Sequence, residues 1–187
     1  LHLCHHNLEN ISDYNSNARH KLLLEVCLAA KHEGDSIKTP YLKHENTNPD
    51  SQLCTVLARS FADIGDIVRG KDLFLGSTYE SAQRKQLDKK LKKIFKKIHD
   101  DATKVGTNAA ALKTRYNGDK QNNFYQLRED WWNANRETVW KAMICQVGSG
   151  TYFRHTCSNG GSYAYKQCRC SDNQVPTYFD YVPQFLR

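Results

Sequence analysis

The residues best equipped for chemistry are the cysteines. Of the seven in 187 residues, Cys145, Cys157, Cys168 and Cys170 crowd the C-terminal region among glycines and serines. With His155 they resemble a zinc set, but paired C-x-x-C knuckles are missing. Cys4-His5-His6 places three ligand-type residues side by side, again without the spacing of a structural zinc site. Disulfides are the better reading, and they imply an oxidising compartment. Cys168 and Cys170 are separated only by Arg169, so each reaches elsewhere; Cys145 and Cys157 are the nearest candidates. Cys27 and Cys54 make a further candidate pair, closing a loop of 27 residues and contributing roughly 3 kcal/mol by chain entropy. Cys4 is left to pair outside this stretch of chain.

The second chemical candidate is a pair of carboxylates, Asp63 and Asp66, three residues apart on a predicted helix. Two carboxylates on one surface can bind a metal or share a proton. Here Arg59 and Arg69 lie within one turn, and ordinary Asp–Arg pairing accounts for them. No Ser/His/Asp or Cys/His arrangement and no phosphate-cradling glycine loop stands out. The chain is therefore read as a non-enzyme that needs no cofactor and no metal.

The third candidate is charge. The formal net charge is +7 and the pI is about 9.0, which favours a polyanionic partner. Between Arg84 and Lys97 stand Arg84, Lys85, Lys89, Lys90, Lys92, Lys93, Lys96 and Lys97, with Asp88 the single acid. A solvated helix face usually mixes its signs, because like charges at i,i+4 repel. No aromatic residue interleaves with these lysines and arginines are few, so base stacking and base readout lose support. Attraction to sulfate or phosphate keeps it. These eight residues form the candidate polyanion- or glycan-binding site, and nucleic acid is not the expected partner.

The elements that must position these groups are helices. Periodicity predicts helices over residues 18–33, 51–68, 78–101, 109–116 and 124–144. The last of these is the most aromatic: Phe124, Leu127, Trp131 and Ala142 fall on one line, widened by Trp132, Val139 and Met143. Trp140 and Ile144 point the other way, so this helix should be sandwiched. Arg128 and Asn135 share the apolar face and need hydrogen-bond partners there. Gly34 should end the first helix, with Pro40 in a following loop over 34–50, and Gly70 should end the second. Leu24 and Leu28 oppose Leu22, Val26 and Ala29, which predicts a helix buried all round. In the second helix, Arg59 and Asp66 should point outward, and Gly65 marks close approach of another helix. The third begins with a capping box, Ser77-Thr78-Tyr79-Glu80, and buries Leu87, Leu91, Ile94, Phe95 and Ile98. Residues 148–175 carry no helical period. Pro183 is placed to open another helix.

Three blocks carry a family resemblance. Ala58 to Asp72 (ARSFADIGDIVRGKD) resembles the opening block of the alpha-class Duffy-binding-like domain, found in the erythrocyte membrane protein 1 adhesins of the malaria parasite Plasmodium falciparum. Leu127 to Trp132 (LREDWW), with Val139 to Ala142 (VWKA), resembles its central block. Cys168-Arg169-Cys170 and Pro176 to Arg187 (PTYFDYVPQFLR) resemble its closing block. The resemblance implies a mainly α fold, a disulfide-stapled helical bundle with long loops. Residues 1–50 would be the end of a first subdomain with an entry helix. Residues 51–187 would be the central helix-bundle subdomain with its Cys-rich loop, and a later subdomain would be absent from this piece of a larger ectodomain. It also implies adhesion to host-cell receptors from the infected-erythrocyte surface, on a protein anchored by a membrane segment elsewhere. The implied partners are heparan sulfate-type glycans, blood-group sugars or complement receptors, together with neighbouring domains of the adhesin. The family shares no single ligand, so no ligand-binding residue is carried over. An alternative is a structural module whose neighbour binds the receptor. No run of about 18 apolar residues is present to insert into a membrane.

Overall fold

A computed structural model describes residues 17–45, 53–73, 78–104, 107–118, 122–148, 152, 155–164 and 167–187. The described residues hold five α-helices: α1 (Ala18–Glu45), α2 (Leu53–Arg69), α3 (Thr78–Lys104), α4 (Ala109–Arg115) and α5 (Tyr125–Met143). A two-stranded antiparallel ribbon follows, β1 (His155–Cys157) with β2 (Ser162–Tyr163), and then single 3-10 turns at Phe179–Tyr181 and Gln184–Leu186. The fold is mainly α.

α5 is sandwiched, as its tryptophans demand. Trp132 and Trp140 both pack on Phe61 of α2, with ring centroids 5.1 and 5.2 Å apart. Trp131 meets Phe95 of α3 edge-on at 6.2 Å. Gly65 supplies the close approach expected of it: a Cβ there would lie 2.8 Å from the Trp132 ring. The α3 stripe Leu87, Leu91, Ile94, Phe95 and Ile98 is buried. Arg128 is also buried and finds Asp88 of α3, with both terminal nitrogens 3.1 and 3.2 Å from one carboxylate oxygen. Asn135 donates to the Trp131 carbonyl one turn earlier.

α1 departs most from expectation. It runs 28 residues, through both Gly34 and Pro40. Gly34 does not end the helix; it lets α1 rest on α5, since a Cβ there would sit 2.0 Å from the Met143 carbonyl oxygen. Pro40 removes one helical N–H, at a cost of about 3 kcal/mol in a helix interior. Pro40 and Ser36, whose carbonyl loses that donor, are both on the exposed side, where water can replace it. Leu22, Val26 and Ala29 are buried, whereas Leu24 is 57% exposed, so the helix buries one face and not its whole circumference.

α2 ends as expected. Gly70 adopts φ +72°. The Gly70 N–H reaches the Ile67 carbonyl and the Lys71 N–H reaches the Asp66 carbonyl, the paired bonds of a Schellman motif. α5 begins without a side-chain cap: Phe124 takes the N-cap position in a left-handed conformation. The predicted capping residue Ser77 and the cluster Cys4-His5-His6 lie outside the described residues. Pro183 opens a single 3-10 turn.

The disulfides join Cys54 to Cys168 and Cys157 to Cys170. Cys27 and Cys145 remain thiols, so the Cys27–Cys54 and Cys145 pairings are replaced. The reason is the length of α1. Residues 46–52 span at most roughly 25 Å extended, which turns α2 back antiparallel to α1, and the Ser60 hydroxyl bonds the Glu33 carboxylate. From that level Cys27 and Cys54 lie six residues away in opposite directions. Their axial separation is about 18 Å at 1.5 Å per residue, beyond any bridge. Cys54 instead faces the Cys-rich segment and pins it to α2. With three of its four thiols bridged, the set around His155 keeps only Cys145 and the histidine, two donors where a structural zinc site takes four.

Candidate polyanion-binding face

The candidate face is the outer side of α3. Its inner stripe is buried in the core, which fixes the helix rotation and leaves the basic side outward. Lys85, Lys89, Lys93 and Lys96 are exposed; Arg84, Lys90, Lys92 and Lys97 are half-buried at its margins. All eight predicted residues thus stand on one helix, but their charges are not equally available. Arg84 is held by Asp72 at 2.6 Å. Lys92 pairs with Asp88 at 2.9 Å, Lys96 with Asp100 at 2.8 Å and Lys97 with Asp101 at 2.9 Å. The Lys96 hydrogen bond, against a small opposing effect of burial, holds the Asp100 carboxyl below its ordinary value. Among the described residues Lys85, Lys89 and Lys93 carry no ion pair. Asp100 and Asp101 stand just beyond the Arg84–Lys97 window, so counting signs inside that window overstated the imbalance.

An open groove borders this face. The end of α2 at Gly70–Asp72, the first half of α3 and Tyr125 of α5 enclose about 520 Å³. Gly70 makes the junction possible: a Cβ there would lie 2.5 Å from an Arg128 nitrogen and 3.3 Å from the Tyr125 ring.

The carboxylate pair has a different role. Asp66, expected outside, is 5% exposed, and Asp63 is half-buried. Asp66 bonds Arg69 at 2.9 Å and also Arg187, which reaches Asp63 at 3.2 Å. Burial pushes the Asp63 carboxyl up, and the Arg187 charge opposes it. Arg69, 2% exposed, also bonds Glu129 at 3.1 Å, the Gly65 carbonyl at 3.0 Å and the Asp180 carbonyl. Asp180, 1% exposed, accepts from the Trp132 indole at 2.9 Å and from two Arg136 nitrogens at 2.8 Å. Every carboxylate in this cluster is occupied by guanidinium or indole donors. The arrangement fastens the closing segment to α2 and α5, and none of these acids is placed to take a substrate proton. Sequence reasoning missed Arg187 and Asp180. The available signal was Asp63, Asp66 and Arg69 at i,i+3 spacing within an otherwise apolar helix.

Fold and face together define a helical, disulfide-braced module with a charged outer helix. The model of the Duffy binding domain matches residues 1–187, and the chain belongs to that family. It is similar to the NTS-DBL1(alpha-1) domain of Plasmodium falciparum membrane protein 1 from the varO strain, at 40% identity and a TM-score of 0.75 over 99% of this chain and 40% of that one. It also resembles the N-terminal NTS-DBL1-alpha and CIDR-gamma double domain of the same strain, at 40% identity and TM-score 0.76 over 99% of this chain and 25% of that one. A DBLbeta domain of the same parasite protein family, solved bound to ICAM-1, matches at 36% identity and TM-score 0.67 over 99% of this chain and 40% of that one. The chain thus spans less than half the length of these solved relatives. No curated protein matches it.

Proposed function

We propose that this chain is part of a host-cell adhesion module, displayed extracellularly on infected erythrocytes, and that the outer face of α3 binds a sulfated glycan. One observation carries the reading: Lys85, Lys89 and Lys93 project from one helix and carry no ion pair among the described residues, Asp88 beside them being taken by Lys92 and Arg128. Ammonium groups on flexible stems attract sulfate with little geometric selectivity, and salt screens that attraction over about 8 Å at physiological ionic strength. Membership of an adhesin family and the ICAM-1 complex of a relative support adhesion in place of catalysis. No helix among the described residues is long and apolar enough to cross a membrane, so the anchor is assigned elsewhere in the protein. The proposed division keeps residues 1–50 as the end of one subdomain and 51–187 as the helix bundle. Blood-group sugars and complement receptors are the other ligand classes the reading admits, and neighbouring domains are further partners.

The test is retention on heparin against salt, and erythrocyte binding before and after heparinase. Reversing Lys89, Lys93 and Lys96 to Glu should abolish retention at physiological salt while far-UV circular dichroism stays unchanged. Unchanged retention in this variant overturns the glycan reading and leaves the structural-module reading in its place.

A further inference from the structure

α4 is the least anchored of the five helices described. None of its seven residues is buried, and Asn108 gives it no side-chain cap. An isolated helix is marginal in water below roughly 12–15 residues, so α4 exists through what it touches. Ala109, Leu112 and the following Tyr116 are half-buried; the rest of the helix is exposed. Open cavities of about 340, 430 and 430 Å³ lie along α4, and Tyr116 lines all three. Well-packed interiors leave few voids larger than a water molecule, so apolar packing holds α4 weakly.

Polar bonds make up the difference, and they converge on one acid. Arg115 meets both oxygens of Asp130 on α5 at 2.6 and 2.7 Å, and the Tyr116 hydroxyl donates to the same carboxylate at 3.0 Å. Gln126, one turn before Asp130, donates at 3.0 Å and fixes that carboxylate from its own helix. Among the described residues no other hydrogen bond or ion pair ties residues 109–116 to the bundle. Leu112 and Tyr116 share a cavity with Ile98 of α3 and with Leu127 and Trp131 of α5, all three of them buried.

We propose that α4 is a lid, shut by the Arg115 and Tyr116 bonds to Asp130, which opens by local unfolding and uncovers Ile98, Leu127 and Trp131. The least stable units of a fold open without the rest, and the disulfides hold the chain elsewhere, at α2 and the Cys-rich segment. Opening exchanges the charged outer side of α4, with Lys113 and Arg115, for an apolar surface between α3 and α5. The inference goes beyond the glycan reading and is independent of it, because no basic residue of the α3 row takes part in the latch.

The test is hydrogen–deuterium exchange of the whole chain with its disulfides intact, read by mass spectrometry, with anilinonaphthalene sulfonate as the probe for uncovered apolar surface. In the parent, the amides of residues 112–116 should be protected, but about a hundredfold less than those of α2. Asp130→Ala should speed their exchange about tenfold, through the combined loss of an exposed bidentate pair and a hydroxyl bond. It should also raise the probe's fluorescence, while α2 exchange stays unchanged. Arg115→Ala with Tyr116→Phe cuts the same bonds from the lid side, keeps the ring, and should do the same. If Asp130→Ala fails to fold, that second variant decides alone. Parent α4 amides with no protection, or protected as fully as α2, overturn the lid. So does unchanged α4 exchange in the variants, α2 exchange rising in step with α4, or faster α4 exchange without a rise in the probe's fluorescence.

Discussion

Two regions of this molecule are built from the same ingredients and use them in opposite ways. In the closing cluster, Asp66, Arg69, Asp180 and Arg187 are sequestered and each charge meets its opposite. On α3, Lys85, Lys89 and Lys93 stand in water with no ion pair among the described residues, while Arg84, Lys92, Lys96 and Lys97 are paired. A buried ion must be paired, because desolvation costs several kcal/mol per ion. An exposed ion need not be, because water solvates it and an exposed pair contributes only about 0–1 kcal/mol. Stability should therefore depend on the first region and polyanion binding on the second. The comparison breaks if either dependence crosses over.

The largest effect is expected at Asp180. Asp180→Ala removes the acceptor of Trp132 and the carboxylate that pairs with Arg136, and leaves that guanidinium nearly buried beside Phe61, Tyr178 and Tyr181 with only the neutral Thr177 carbonyl as an acceptor among the described residues. Uncompensated charge in such a place costs about 3–5 kcal/mol, read as a lowered midpoint in urea unfolding with disulfides intact. A change below about 1 kcal/mol would mean that the cluster does not fasten the closing segment.

A smaller effect, with a defined sign, is expected from pH. Burial alone would raise the Glu129 carboxyl, but hydrogen bonds and charge from Lys71 and Arg69 hold it below its ordinary value. A carboxyl depressed in the folded state stabilises fully above its unfolded value of about 4.3. That contribution is lost as pH falls through the folded value. Asp63 works the other way: raised mainly by burial, it lowers stability as pH rises from about 3.9 through its folded value. Glu129→Gln should flatten the acid limb of the stability–pH curve, and Asp63→Asn should steepen it. Parallel curves for the two variants would remove the assigned opposition.

How much of this was legible in the sequence follows the range of the interactions. Local pattern placed the α3 stripe, the Gly70 stop and the tryptophan helix, because helical period and capping are short-range. Gly65 was legible because a glycine within an apolar helix needs a packing reason, and Trp132 is that reason. Gly34 and Pro40 were misread because their usual local meaning was overridden by the Met143 contact and by solvent on the proline side. The Cys54–Cys168 bond was out of reach, since its 114-residue separation depends on how α1, α2 and the C-terminal segment meet. The lysine row was visible by type. Its division needed one tertiary fact, that Asp72 folds against Arg84; the pairs of Lys96 and Lys97 are with Asp100 and Asp101 one turn on in the same helix.

The smallest expected effect sharpens the comparison most. Lys93 is exposed, one turn from Lys89 and one turn from Lys97 on α3. Lys93→Glu replaces two like-charge i,i+4 neighbours with two opposite-charge ones. Each such pair is worth about 0.2–0.5 kcal/mol in an isolated helix, with the acid preceding Lys97 in the favourable order. The variant should therefore be as stable as the parent or slightly more so by urea unfolding, yet elute from heparin at lower salt. A helix that becomes more stable on losing a lysine is one in which that lysine does not serve the fold. Destabilisation by more than about 1 kcal/mol would instead place Lys93 among the residues that hold the bundle together, and the opposition between the two regions would fall with it.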